Sequence, residues 1–186
     1  MTTSVPAARG PRLADRVAIV TGAGSRADGI GNGRASAILM AREGARVALI
    51  DAVPEWAEQT RRMIEAEGGQ SMVVPCDVTD PAACEAAVAA TVKAWSRLDI
   101  LVNNVGIGGP PGTAVEVDLA AWNHGLLVNV TSMMLMAKYA IPEMRKQGAG
   151  AIVNVASVAG LLGGHPSLLY PTSKGAVVNM TRAMAA

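Results

Sequence analysis

Five short apolar runs, separated by stretches of helical character, constrain this chain more than any other feature of its sequence. They are "VAIV" (17–20), "RVALI" (46–50), "SMVV" (71–74), "DILV" (99–102) and "AIVNV" (151–155). Runs this short and rich in β-branched residues, with little polar alternation, are expected of strands covered on both faces of a parallel sheet. Between them, residues 31–43 place small and apolar side chains at helical spacing. Residues 54–67 open with Pro54, and residues 80–95 open with an Asp N-cap candidate followed by Pro81. A long helical segment spans about 118–146, where Pro142 should kink or shorten it, and a last helix runs from about Tyr170. Strand–helix alternation of this kind predicts right-handed crossovers and a doubly wound, Rossmann-like α/β fold. The dinucleotide version of that fold has six strands, so five runs predict a sheet missing its last strands.

A length of 186 residues suits one domain, with 14–186 as the folded unit and 1–13 as a flexible N-terminal tail. Phe is absent and aromatics make up 3% of the chain, so the core must be built from Val, Ile, Leu, Ala and Met. A net charge of +1 with interspersed signs gives no reason to expect nucleic acid or a membrane surface as partner. Residues 147–173 carry no Asp, Glu, Lys or Arg, but Asn154, His165, two prolines and several Gly and Ser favour a buried strand and loop over a membrane span. The N-terminus has no apolar targeting region, and a cytoplasmic location is expected. Cys76 and Cys84 match no metal or redox spacing and read as buried free thiols, and no metal site is predicted.

Five glycines fall between Gly22 and Gly33, in the connection from the first strand to the first helix. A dinucleotide pyrophosphate sits at such a helix N-terminus. Two registers compete. "GAGSRA" (22–27) fits G-x-G-x-x-A, but Asp28 and Gly29 argue against a helix starting there. In the preferred register Gly22 makes the tight turn, Ser25 to Ile30 form an enlarged loop, and Gly31 and Gly33 begin the helix. Gly33, Ala37 and Ala41 then let that helix approach the sheet. Asp51, at the end of the second strand and twenty residues beyond Gly31, is the candidate acceptor for adenosine ribose hydroxyls; the alternative is a cap for the helix at Pro54.

In "YPTSK" (170–174), Tyr170 and Lys174 lie one helical turn apart on one face. A tyrosine hydroxyl, with pKa near 10, needs about 4 kcal/mol of preferential phenolate stabilisation to act as acid and base at neutral pH. A lysine cation one turn away can supply part of it. By themselves these two residues read first as a surface pair on an amphipathic helix.

Taken in order, "TGAGS…GNG", "CDVTD" (76–80), "NNVG" (103–106), "LLVNV" (126–130), "IVNVAS" (152–157) and "YPTSK" resemble the short-chain dehydrogenase/reductase family over about residues 14–186. The resemblance implies an NAD-dependent oxidoreductase acting on a small alcohol or ketone, with NADP the less expected cofactor. Tyr170 would be the general acid/base, Ser157 would hold the substrate oxygen, and Lys174 would lower the tyrosine pKa and bind the nicotinamide ribose. Asn129 would support a water-linked proton relay. Gly22, Ser25, Arg26, Ile30, Gly31, Gly33, Asp51, Asp77, Val78, Asn104 and Gly106, with Tyr170 and Lys174, would contact the cofactor. Two departures from the family pattern are the expansion "RADGI" and Val105 in place of a small residue. The family's later strands and substrate loop have no counterpart, so the chain resembles a fragment. A homo-oligomer is expected of the intact protein, and poor solubility with little activity of residues 1–186 alone. The alternative is a non-catalytic NAD-binding or interaction module; an epimerase or dehydratase is a third.

Overall fold

The structure, a computed structural model, describes residues 10–26 and 29–185. The first nine residues of the assigned tail, and Ala27 and Asp28 of the enlarged loop, lie outside the described residues. Residues 12 and 13, assigned to the tail, are held. Leu13 N–H donates to the Glu43 carbonyl at 2.8 Å, and the Arg12 guanidinium pairs with the Glu43 carboxylate at 3.0 Å.

Five strands form one parallel sheet: β1 (Val17–Thr21), β2 (Arg46–Asp51), β3 (Gln70–Pro75), β4 (Ile100–Asn103) and β5 (Ala151–Asn154), in the order β3-β2-β1-β4-β5. The order reverses between β1 and β4, which opens a crevice at the carboxyl ends of those two strands. Among the described residues the α-helices are α1 (Asn32–Arg42), α2 (Pro54–Ala66), α3 (Pro81–Trp95), α4 (Leu119–Leu126) and α5 (Ser132–Lys146), which lie between strands, and α6 (Leu169–Met184), which follows β5. β1 and β4 are buried along their whole length, as their uninterrupted apolar runs require. One apolar layer packs α3 and α5 on the sheet through Cys84, Val88, Met136 and Met144. The other packs α1 and α2 through Ala37, Ile38, Ala57 and Ile64. Both cysteines are free and buried.

Pro142 neither ends nor shortens the long helical segment, since α5 continues through it to Lys146. The irregularity falls earlier, at a π-helical turn, Leu127–Thr131, between α4 and α5. At its start, α3 is capped by Asp80, whose carboxylate accepts the Ala82 N–H at 2.8 Å. The amino ends of the central strands are clamped by Asp99. Its carboxylate accepts the Val17 N–H at 2.9 Å and pairs with Arg16 and Arg97, while its carbonyl accepts the Ala151 N–H.

Candidate functional site

α1 begins at Asn32 with Gly31 as its N-cap, so the second of the two glycine registers describes the loop. Gly22 has φ +62°, the left-handed conformation that glycine adopts without strain. A Cβ on Gly33 would lie 1.9 Å from the Gly22 carbonyl oxygen, so the helix start can meet the turn only without a side chain. Gly31 faces open space. Ile30 is exposed and outside the groove. The preferred glycine register gives Gly24 no contact of its own. Its N–H donates to Asp51 Oδ2 at 2.9 Å, and a Cβ there would meet Trp56 Cβ at 2.5 Å.

Asp51 does not cap α2; the N-cap position is Val53, which has no side-chain cap. Its second oxygen accepts the Val53 N–H at 3.0 Å. The carboxylate therefore joins the glycine loop to the end of β2, with lone pairs left for a ligand in the groove it lines. Arg26 lies over the Trp56 ring, 5.9 Å from its centroid, on the same wall. Asp77 is held by Thr79, whose N–H and hydroxyl both donate to it and keep its carboxyl below the usual range. Asn104 spends its side chain on the loop, donating to the carbonyls of Thr21 at 3.2 Å and Gly22 at 3.1 Å. Val105 packs beside the Gly22 turn.

These residues wall a groove of about 410 Å³ that runs from Asp51, Asp77 and Val78 past Gly22, Ser25 and Arg26 to Asn104, Gly106 and Ile107. A second hollow of about 400 Å³ shares Asn104, Gly106 and Ile107 with it and continues to Tyr170, Lys174 and His165. The two make one trough across the crevice between β1 and β4.

At the far end, Lys174 is 3% exposed and its Nζ donates to the Val155 carbonyl at 2.7 Å. Burial pushes its ammonium below the ordinary lysine value. Its Nζ lies 5.9 Å from the Tyr170 ring centroid. A Cβ on Gly106 would come within 3.2 Å of that Nζ and 3.5 Å of Asn129 Oδ1, so this glycine keeps the lysine and the asparagine in one small space. Asn129 is fully buried in the π-helical turn. Its oxygen accepts the Ile107 N–H at 2.8 Å, and its amide donates to the Ile107 carbonyl at 2.9 Å and to Ser173 Oγ at 3.0 Å. A π-turn shifts the helical register by one residue, a device common at functional sites. Ser173, absent from the sequence reading, donates in turn to the Tyr170 carbonyl at 2.8 Å.

Ser157 lies on the loop leaving β5, where its Oγ accepts the Ala159 N–H at 3.2 Å and caps a 3₁₀ turn, Val158–Gly160. Its neighbours Val155 and Ala156 line the inner hollow. That turn rests directly on α6, because a Cβ on Gly160 would sit 2.5 Å from the backbone carbon of Lys174. Sequence spacing alone could not supply this contact, which seats the end of the 3₁₀ turn on the helix carrying Tyr170, while Ser157 itself is not among the residues that line the hollow. Among the described residues, no cluster of three or more His, Cys, Asp or Glu could hold a metal.

Comparison with known proteins gives the family. The family model described as short chain dehydrogenase matches residues 16–186. An uncharacterized oxidoreductase of Thermotoga maritima is 40% identical over 91% of this chain and 64% of its own length. The 2-(S)-hydroxypropyl-CoM dehydrogenase 3 of Xanthobacter autotrophicus is 42% identical over 94% of this chain and 66% of its own. A crystal structure of a Burkholderia xenovorans short-chain dehydrogenase/reductase superposes with TM-score 0.91 at 43% identity, over 95% of this chain and 70% of that one. The chain thus spans about two thirds of the length of the curated relatives it matches. The chain belongs to the short-chain dehydrogenase/reductase family.

Proposed function

We propose that the chain binds NAD along the trough and serves the interconversion of a small alcohol and its ketone. The observation that carries this reading is the continuity of the two hollows. A carboxylate pair, Asp51 and Asp77, stands at one end, and a tyrosine with a buried lysine stands at the other. The groove fits a dinucleotide: its glycine turn approaches α1 without side chains, and the first turn of α1 has no side-chain cap and no acidic residue to oppose a phosphate. Bound there, NAD supplies hydride chemistry. The residues of this chain do the rest.

Asp51 accepts hydrogen bonds from the adenosine ribose and repels a phosphate on its 2′-oxygen, which favours NAD over NADP. Arg26 is the opposing influence, but it is stacked on Trp56 while Asp51 is fixed from two sides. Val78, buried beside Asp77, closes the adenine end. Tyr170 gives its hydroxyl proton to a ketone oxygen, or takes one from an alcohol, and Ser157 holds that oxygen. Lys174 keeps a cation beside the tyrosine and meets the nicotinamide ribose. Asn129 fixes the backbone of Ile107 and, through Ser173, the turn of α6 that carries Tyr170. The relative whose name specifies a hydroxypropyl compound supports a secondary alcohol as substrate class.

Following nicotinamide absorbance with ketones and alcohols, alongside separate measurement of NAD binding, tests the reading. Turnover that falls at least tenfold in Tyr170→Phe with NAD affinity unchanged supports it. Binding without turnover selects a non-catalytic module instead, and a redox-neutral product selects an epimerase or dehydratase.

A further inference from the structure

His165 stands on the inner hollow together with Tyr170 and Lys174, and none of the roles above uses it. Its ring centroid lies 5.2 Å from that of Tyr170, with the rings tilted by 31°. Ser167 holds it from the other side. The Ser167 N–H donates to His165 Nδ1 at 3.1 Å. The Ser167 hydroxyl donates to the Pro110 carbonyl at 2.9 Å and accepts the Tyr170 N–H at 3.4 Å. The next residue joins the same loop, with Leu168 N–H donating to the Gly112 carbonyl at 3.3 Å. One buried serine thus ties the histidine, the loop facing it and the start of α6 into a fixed arrangement.

The hydrogen bond to Nδ1 has a chemical consequence. Nδ1 also lies 3.3 Å from the Ser167 carbonyl, but a backbone N–H can only donate, so in the tautomer that accepts it the neutral ring bears its proton on Nε2. Nε2 is then a donor, on a ring packed against the proposed acid/base, at a hollow whose other walls include Asn32, Asn104, Gly106, Ile107 and Gly108. A substrate whose reacting oxygen meets Tyr170 brings its neighbouring atoms against this ring.

Resting on the alcohol/ketone reading, we infer that His165 is a specificity-determining residue: its Nε2–H takes a second, hydrogen-bond-accepting oxygen of the substrate, so the site selects bifunctional ketones and alcohols over monofunctional ones. His165 is exposed, but its ring contact with Tyr170 and its bond to Ser167 are in place before substrate arrives, which favours affinity.

Cyclohexanone and cyclohexane-1,4-dione are a matched pair of one ring size that differ in one carbonyl. Their binding to the 186-residue chain, measured by calorimetry in saturating NADH, tests the inference. One hydrogen bond predicts that the dione binds about five- to tenfold more tightly, beyond the factor of two from its equivalent carbonyls. His165→Leu should remove that margin and leave cyclohexanone binding unchanged. His165→Gln, which returns an N–H donor, should restore most of it. Equal binding of the two ketones to the wild-type chain, binding of neither, or a margin that survives in His165→Leu overturns the inference. Ketone-dependent loss of NADH in the same samples reports on the oxidoreductase reading separately. Turnover with no histidine-dependent margin keeps that reading and discards this one, and a margin without turnover does the reverse.

Discussion

Gly31 and Gly33 lie two residues apart at the start of α1, yet their surroundings predict opposite tolerance. At Gly33 an added Cβ meets the Gly22 backbone oxygen at 1.9 Å, and neither partner can rotate away. Gly33→Ala should displace the turn, lower thermal stability and weaken NAD binding by more than tenfold. Gly31→Ala adds a methyl group into open space at φ −76°, and should cost under about 1 kcal/mol as a poorer N-cap. Calorimetric titration and thermal melts of the two variants check this, and equal effects would mean that the register of the loop is wrong. Tyr170→Phe and Lys174→Ala form a second contrast. The first removes a proton donor and leaves the cofactor groove intact; the second also removes a buried group bonded to the Val155 carbonyl. Turnover should fall in both, and NAD affinity in the second. If Tyr170→Phe kept more than about a tenth of kcat/KM, the lost transition-state stabilisation would be under about 1.4 kcal/mol and its assignment as acid/base would fail.

Among the elements, what could be read from sequence followed the strength of local patterning. Uninterrupted apolar runs located all five strands to within a residue or two, and Asp80-Pro81 marked the start of α3. The expected shortening at Pro142 does not occur, because helix interruption is a local rule and here α5 buries Met136, Ala140 and Met144 on either side of the proline. The packed face outweighs one missing hydrogen bond. The π-turn at Asn129 gives no sequence signal, since its stabilising partners, Ile107 and Ser173, are distant in the chain. Contact of Gly160 with α6 was invisible for the same reason. Gly160→Ala should lift the Ser157 turn off α6 and lower kcat more than it alters NAD affinity, as separate kinetic and binding measurements would show.

The Asp99 clamp belongs to this scale too, because it joins three strand starts. Burial raises its carboxyl, but hydrogen bonds from Arg97, the Val17 N–H and Arg16 outweigh that and bring it to about 2. A carboxylate depressed in the folded state stabilises it above the unfolded pKa near 3.9, and loses that contribution as pH falls through the folded value. Stability should therefore hold above about pH 4 and decline between about pH 4 and pH 2, with this group contributing up to about 2 kcal/mol. Asp99→Asn should lower stability at pH 7 and flatten that acid limb in urea titrations. An unchanged limb would show that the clamp is not the acid-sensitive group.

For the molecule as a whole, β5 forms one edge of the sheet and Val153 on it is 50% exposed. Beside it, Ile141, Met144, Ile152 and Met184 wall a hollow of about 580 Å³. An open edge strand with apolar surface is a pairing site for other chains. Homo-oligomerisation through α4, α5 and α6 is proposed for the whole protein.

The central claim is that the trough is a nicotinamide dinucleotide site read at its adenosine end by Asp51. Calorimetric titration of NAD and NADP onto the folded chain and onto its Asp51→Asn variant tests it most directly. One-site NAD binding is predicted, at least tenfold tighter than NADP, with the ratio collapsing in Asp51→Asn because the repelling charge is gone while one backbone N–H keeps an acceptor. No NAD binding by a folded chain, or an NADP affinity equal to or above that for NAD, would contradict it.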